Sequence, residues 1–131
     1  MRWTSWLMAA ALAALPIGAL PTAANAVTQD DFLARTTTDL VNLCDPPSAD
    51  PMRVAALHFC EGFMVGAYQY HQAERAGPKG QRLFCLPSVG VTRDQAVRLF
   101  ITWAKDNPQY MQEPPVQSLS RFAAATWPCG K

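Results

Sequence analysis

The chain has 131 residues, with 11 basic and 10 acidic side chains and a formal net charge of +1 at pH 7. Because the charges are balanced and form no basic run, the composition indicates binding to neither nucleic acid nor anionic lipid. The length suits a single domain.

The first 26 residues have the pattern of a secretory signal peptide. One early arginine precedes an apolar run over residues 3–20, and Ala24 and Ala26 form an A-x-A cleavage site. This pattern predicts cleavage after Ala26. A retained membrane anchor is the alternative, but the run barely reaches the length of a spanning helix and contains a proline and a glycine. We therefore expect residues 27–131 to form one domain exported to the periplasm.

All four cysteines, Cys44, Cys60, Cys85 and Cys129, follow the predicted cleavage site. An even number in a short exported chain is typical of a disulfide framework. A zinc site would need closely spaced ligand pairs such as C-x-x-C, which these cysteines do not form. We expect two disulfides rather than free thiols, and neither a metal ion nor a cofactor.

An apolar stripe at helical period predicts a first helix from about residue 28 to residue 43. Asp30 and Asp31 lie in its first turn, where acidic side chains suit the positive end of the helix dipole. Two consecutive prolines, at residues 46 and 47, follow its predicted end. The stripe consists of Phe32, Leu33, Thr36, Leu40 and Leu43.

The second predicted helix is the longest. Asp50 is a good N-cap and Pro51 suits the first helical position, and no helix breaker follows until the Gly-Pro pair at residues 77–78. Gly62 and Gly66 lie inside this helix, where each glycine costs about 1 kcal/mol relative to alanine. We therefore expect them to pack closely against a helix of the same domain or against a second protomer.

Thr92 and Gln95 form a capping box that starts a third helix, which ends before Pro108. A pair of prolines at residues 114–115 starts the fourth helix, which ends before Pro128. Together the segments predict an all-α fold, a small bundle of about four helices. The residues predicted to face inward in the last two helices are Val97, Phe100, Ile101, Ala104, Val116, Leu119, Phe122, Ala123 and Thr126.

The predicted layout also indicates how the cysteines pair. Long helices joined by short loops stack antiparallel, so the end of the fourth helix returns beside the start of the third. This brings Cys129 near Cys85. Cys44 then meets Cys60 after the chain doubles back through the prolines between them. We predict disulfides 44–60 and 85–129.

The sequence contains no catalytic motif: neither a nucleophile elbow, nor a zinc-binding H-E-x-x-H segment, nor a phosphate-binding loop. His58 with Glu61 and His71 with Glu74 could each form an acid–base or metal pair. Their spacing is also that of ordinary pairs on a helix surface, which is the interpretation we favour. With every cysteine assigned to a disulfide, no thiol is left as a nucleophile. We predict that the protein is not an enzyme.

The surroundings of the four cysteines resemble a known family. The order and content of these segments are similar to the Rap/Tai family of type VI secretion immunity proteins, over about residues 36–129. Phe63 departs from the tyrosine that many relatives carry, and residues 67–71 also differ. The segments that carry the resemblance are Thr38-Asp39-Leu40-Val41-Asn42-Leu43-Cys44, Cys60-Glu61-Gly62-Phe63-Met64-Val65-Gly66, Phe84-Cys85-Leu86-Pro87, Val91-Thr92-x-x-Gln95, Asn107-Pro108-Gln109 and Trp127-Pro128-Cys129.

The resemblance implies a periplasmic, all-helical immunity protein, often a homodimer, that occludes the cleft of a cell-wall amidase injected by other bacteria. The contact residues are not part of the shared motifs, so we predict them from expected exposure. Exposed aromatic side chains are common interface anchors, and two loops, residues 77–82 and 106–113, are candidates for the contact. The predicted partner-binding residues are Tyr70, Gly77, Lys79, Arg82, Gln109 and Tyr110.

Two other binding functions fit the same sequence. Periplasmic acid-stress chaperones of the HdeA type are also small, helical and disulfide-bonded, although this chain shows no enrichment in acidic residues for opening at low pH. A domain of the same family without a toxin partner is the other alternative. In each case we expect no nucleic-acid partner, and no membrane contact after signal cleavage.

Overall fold

The computed structural model describes residues 25–130. These residues form four α-helices and two short 3-10 helices, at Gln29–Leu33 and Pro108–Tyr110, and none of them lies in a strand. The predicted all-α class is confirmed. The predicted signal peptide lies outside the described residues, apart from its last two. The α-helices are α1 (Thr37–Cys44), α2 (Arg53–Ala76), α3 (Arg93–Asp106) and α4 (Pro115–Thr126).

The single helix predicted at the beginning of the domain is wrong, because the chain forms two short helices there. Thr28 and Asp31 form a capping box that starts the first 3-10 helix, and Thr36 and Asp39 form another that starts α1. Between them Ala34 adopts a left-handed conformation with a φ of 45°. Each capping box satisfies the free N–H groups of a helix start. Two successive boxes therefore favour two helices over one.

Asp50 lies before α2 but does not cap it directly. Its carboxylate accepts hydrogen bonds from the backbone N–H groups of Met52, at 2.8 Å, and Val27, at 2.7 Å. The residue therefore ties the beginning of the domain to the turn that leads into α2. The end of α2 lies where the sequence predicts it, with Gly77 as its C-cap.

The C-terminal half of α2 packs loosely on the rest of the domain. Among the 24 residues of this helix, the buried ones are Ala56, Cys60 and His71. Gly62 and Gly66 are exposed, and a Cβ atom built on either would meet no heavy atom within 4 Å. The close approach expected from another helix of the same domain is therefore wrong, because this face of α2 turns to solvent. The alternative, a second protomer, stays a prediction.

α3 and α4 supply the aromatic core. Thr92 caps α3 through the predicted capping box with Gln95. The rings of Phe100 and Phe122 are nearly fully buried and meet edge to face at 5.6 Å. Val116, predicted to face inward, is instead 51% exposed, because the first turn of α4 borders an open groove rather than another helix.

Both predicted disulfides are present. Cys44–Cys60 joins the end of α1 to α2, with Cα atoms 5.2 Å apart, and both residues are buried. Cys85–Cys129 joins the segment before α3 to the segment after α4, with Cα atoms 4.9 Å apart. No cysteine is left free. The two bridges therefore fasten the two halves of the domain separately.

No helix within residues 25–130 has the length and apolar character needed to span a bilayer.

Candidate functional site

The connection between α3 and α4, residues 107–113, is held on the first turn of α1. The backbone N–H of Thr37 donates to the carbonyl oxygen of Glu113 at 2.8 Å, and that of Thr38 donates to Met111 at 3.0 Å. The first N–H groups of a helix have no partner within the helix. Here the connection supplies those partners, so its backbone is fixed relative to α1.

A buried pair of hydroxyl groups also holds this connection, on the side that faces the core. Thr37 and Ser118 are both fully buried, and their side-chain oxygens lie 2.6 Å apart. Thr37 Oγ1 also lies 3.0 Å from the carbonyl oxygen of Glu113, and Ser118 Oγ donates to the carbonyl of Tyr110 at 3.2 Å. Both ends of the connection are therefore bonded to the core.

The outer side of the connection carries a stack of three side chains. The ring of Tyr110 lies parallel to Trp103, with centroids 5.6 Å apart and an angle of 6° between the planes. The Arg121 guanidinium lies 4.8 Å from the Tyr110 centroid and donates to both carboxylate oxygens of Glu113, at 2.9 and 3.2 Å. Its hydrogen bonds to Glu113 raise the pKa of Arg121 further above its ordinary value, which already keeps arginine charged at physiological pH.

Gln109 lies at the exposed tip of this connection. Its side-chain amide donates to Asn107 Oδ1 at 3.2 Å, while Asn107 itself donates to the carbonyl of Trp103 at 2.8 Å. A short 3-10 turn, Pro108–Tyr110, sets the direction of the backbone. The result is a rigid projection with an exposed amide and a half-buried aromatic ring.

A groove of about 930 Å³ lies between α2 and α4, and its lining runs from the loop after α2 to the first turn of α4. Its floor includes Phe84, whose ring stacks on His71 at 4.2 Å and faces Tyr68 at 6.3 Å. Phe122 and Trp127 form the opposite side. The groove exists because the second half of α2 diverges from the core, and its lining is mostly apolar.

The predicted contact residues fall into two separate groups. Tyr70, Gly77 and Lys79 border the groove, whereas Arg82 is exposed on the adjoining loop. Gln109 and Tyr110 belong to the projection between α3 and α4. The lining of the groove includes Tyr70, Gly77 and Lys79 but no residue of the connection 107–113. Tyr70 is 66% exposed, as expected.

Neither histidine–glutamate pair has the geometry of an acid–base pair. His58 is exposed, and His71 is buried against Phe84. Glu74 interacts instead with Tyr70, and its hydrogen bond raises the pKa of the Tyr70 hydroxyl. Residues 25–130 contain no group of three or more histidine, cysteine or acidic side chains that could hold a metal ion.

The projection is held in place by Thr37, Ser118, Glu113 and Arg121. The sequence did not predict this role for any of them. The hydroxyl pair joins residues 81 positions apart, and the Arg121–Glu113 contact joins residues eight positions apart across a turn. No local pattern indicates such contacts.

The family model described as Rap1a immunity proteins matches residues 36–129. The match begins at the N-cap of α1 and ends at the last cysteine, so it includes both disulfides, the groove and the projection. No curated protein and no solved structure gives a significant match.

Proposed function

Because this chain belongs to the Rap1a immunity proteins, we propose that it protects its producer by binding and inhibiting a peptidoglycan amidase delivered by type VI secretion. The inhibition would be steric: the immunity protein occupies the cleft of the toxin and contributes no catalytic group of its own.

The observation that carries this proposal is the rigid projection at residues 107–113. A segment that is ordered before binding loses little conformational entropy when it enters a cleft, so more of the contact energy remains as affinity. Tyr110 and Arg121 are also residue types that dominate binding at protein interfaces. Of the two predicted loops, we therefore propose that residues 107–113 contact the toxin.

We also propose that residues 1–26 are removed during export and that residues 27–131 act as one domain in the periplasm. The disulfides support this location, because such bonds persist in oxidising compartments.

We propose that two copies associate through the exposed face of α2 that carries Gly62 and Gly66. Each glycine weakens a solvent-exposed helix by about 1 kcal/mol, and neither serves packing within residues 25–130. Close approach of a second α2 would give them a structural role. Sedimentation of the wild type and of Gly66→Leu tests this: the variant should shift towards the monomer, and an unchanged distribution would contradict the proposal.

The toxin-binding proposal is tested by growth competition. A deletion strain carrying the wild-type gene should survive attack by toxin-producing siblings, and one carrying Gln109→Arg should not. Gln29→Arg is the matched control, because Gln29 is exposed in the first 3-10 helix and belongs neither to the two candidate surfaces nor to the face of α2 that carries Gly62 and Gly66. Gln81→Arg tests the other loop.

Each outcome of this competition has a defined meaning. Loss of protection with Gln109→Arg alone supports the projection as the contact. Loss with Gln81→Arg alone would move the contact to the groove end and contradict the assignment. Equal survival of the deletion strain and its parent would contradict immunity itself.

A further inference from the structure

The chain enters the core of the domain at Val27. Asn25 and Ala26 are exposed, whereas Val27 is 5% exposed and is part of the hydrophobic core. The proposed cleavage site after Ala26 therefore lies at the junction between exposed and buried chain. A chain cut there begins with a residue that the core holds, rather than with a free tail.

The backbone nitrogen of Val27 is bound by a carboxylate. Its N–H donates to Asp50 Oδ2 at 2.7 Å, while the other oxygen of Asp50 accepts from the N–H of Met52 at 2.8 Å. The next N–H, that of Thr28, donates to Asp31 at 2.7 Å. Two successive nitrogens at the beginning of the domain therefore face two separate negative charges.

The charge of Asp50 lacks a side-chain counterion in the described part of the chain. The nearest basic residue along the sequence, Arg53, donates instead to the carbonyl oxygen of Pro46 at 2.7 Å. Asp50 is partly buried, so solvent screens its charge less than that of an exposed carboxylate. A cation at the Val27 nitrogen would supply the missing partner. The ion pairs within residues 25–130 involve other acids, namely Asp30, Asp45, Asp94 and Glu113.

Hydrolysis after Ala26 creates that cation. Water cleaves the peptide bond between Ala26 and Val27: the hydroxyl joins the Ala26 carbonyl carbon and the hydrogen joins the Val27 nitrogen. The carboxylic acid then gives up its proton, and the α-amine takes one up, because its ordinary pKa of about 7.7–8.0 keeps it mostly protonated at pH 7. The single N–H of the amide becomes three N–H donors that carry a positive charge.

We propose that removal of the signal peptide creates an ion pair between the new α-ammonium of Val27 and the carboxylate of Asp50, which fixes the beginning of the mature domain to the turn before α2. The ion pair depends on the proposed cleavage after Ala26. The uncleaved chain makes only the hydrogen bond from a neutral amide at this position, and hydrogen bonds between charged groups are roughly twice as strong as neutral ones. The domain therefore reaches its full stability only after the signal peptide has been cut off.

The burial of Val27 also sets the order of the two events. Proteolysis occurs in exposed, poorly ordered chain, whereas Val27 in the folded domain is buried and hydrogen-bonded. Cleavage therefore precedes the docking of this segment, and the ion pair forms when the new terminus packs beside Asp50.

The test is a double-mutant cycle on the protein purified from the periplasm. One partner of the pair is removed by Asp50→Asn. The other is displaced by inserting one glycine between Ala26 and Val27, which retains the A-x-A cleavage site and leaves Val27 with a neutral amide. Urea unfolding of the four oxidised proteins gives the coupling between the two changes, free of their separate effects.

We expect Asp50→Asn to raise the equilibrium constant of unfolding about fivefold more in the native background than in the glycine-extended one. The native background loses a hydrogen bond between charged groups, and the extended background loses one from a neutral amide. In both, asparagine has a single acceptor oxygen for two N–H donors, so this loss cancels. Equal effects of Asp50→Asn in the two backgrounds would overturn the ion pair.

Asp45→Asn is the matched control. It removes the same charge from a carboxylate that pairs with Lys105 at 2.7 Å, so its effect should be equal in the two backgrounds. If the glycine insertion changes the effect of Asp45→Asn as much as that of Asp50→Asn, the terminal charge acts at long range and the direct pair is overturned.

Acylation of the α-amine tests the same contact without a substitution at Asp50. An α-amine has a lower pKa than a lysine and reacts first near neutral pH. The Val27 amine should be acylated at least about tenfold more slowly in the folded wild type than in urea, because it has to leave Asp50 before it reacts. The terminal glycine of the extended protein, one residue outside the contact, should lose this protection. Equal rates for Val27 in the folded and unfolded protein would overturn the proposal.

Mass spectrometry of the intact chains distinguishes failure of the ion pair from failure of the cleavage on which it depends. If the mature chain begins at Val27 and the cycle shows no coupling, the ion pair alone is overturned. A mature chain that begins at another residue would overturn both the cleavage site and the ion pair. The growth competition tests immunity independently of either result.

Discussion

Replacing Ser118 by alanine tests how the projection is held. The hydroxyl donates to the carbonyl of Tyr110 and lies 2.6 Å from Thr37 Oγ1. Neither partner is left unsatisfied in the variant, because the Tyr110 carbonyl still accepts from the N–H of Glu113 and Thr37 still reaches the Glu113 carbonyl. Because the single Thr37 hydroxyl proton can pass entirely to the Glu113 carbonyl, the variant loses one hydrogen bond, at about 1 kcal/mol, and leaves no buried group without a partner.

Ser120→Ala is the matched control for this measurement. Ser120 is also in α4, and its hydroxyl donates only to the carbonyl of Val116 within the same helix, at 2.9 Å. Both substitutions gain the same helix propensity, about 0.5 kcal/mol or less, so the difference between the variants isolates the buried contacts. Urea unfolding of the oxidised protein should give a free energy of unfolding about 1 kcal/mol lower for Ser118→Ala than for Ser120→Ala.

Hydrogen exchange then links this loss to the projection. The amides of Thr37 and Thr38, which donate to the connection, should exchange faster in Ser118→Ala than in Ser120→Ala. If the two variants differ by less than about 0.5 kcal/mol and exchange at equal rates, the buried hydroxyl pair does not hold the projection and the reasoning is refuted.

Three further predictions concern the rest of the domain. Gly66→Ala should raise the free energy of unfolding of the monomer by up to about 1 kcal/mol in urea titrations, because its Cβ meets no neighbour; a destabilised monomer would contradict the observed exposure. Cys129→Ser should lower that free energy by about 4 kcal/mol, the loop entropy released across 44 residues, and a loss below about 1 kcal/mol would show that the bridge is dispensable. Burial raises the pKa of Asp31, but hydrogen bonds from Asn42 and Thr28 outweigh it and hold the pKa below its ordinary value of 3.8. The stability that results is present above pH 3.8 and is lost as the pH falls through the folded-state pKa. In Asp31→Asn, the free energy of unfolding should therefore fall less steeply with decreasing pH below about 3.8 than in the wild type. An equally steep fall in both proteins would contradict the role of Asp31.

Features that depend on neighbouring residues were predictable from the sequence alone. Thr92 and Gln95 are three positions apart, so their capping box could be read directly, and Gly77 ends α2 where its Gly-Pro pair indicates. The disulfide pairing also followed, because helix order and short loops leave few ways to bring the cysteines together. The two capping boxes that divide the first predicted helix are equally local, and they outweigh the apolar stripe that predicts a single helix.

Features that depend on distant residues were decided only by the tertiary structure. The exposure of Gly62 and Gly66 follows from how α2 leaves the core, which helical periodicity does not determine. The projection is held by Thr37 and Ser118, 81 positions apart.

The sequence by itself determined the helices, the disulfide scaffold and the family, because caps, breakers and cysteine order act over short or enumerable distances. The surfaces available for binding were decided by the tertiary structure. The residues that stay exposed depend on how the helices pack against one another. In this chain the packing leaves about half of α2 exposed to solvent and fixes the α3–α4 connection to α1. Both outcomes depend on contacts between residues far apart in the chain, for which no local pattern exists.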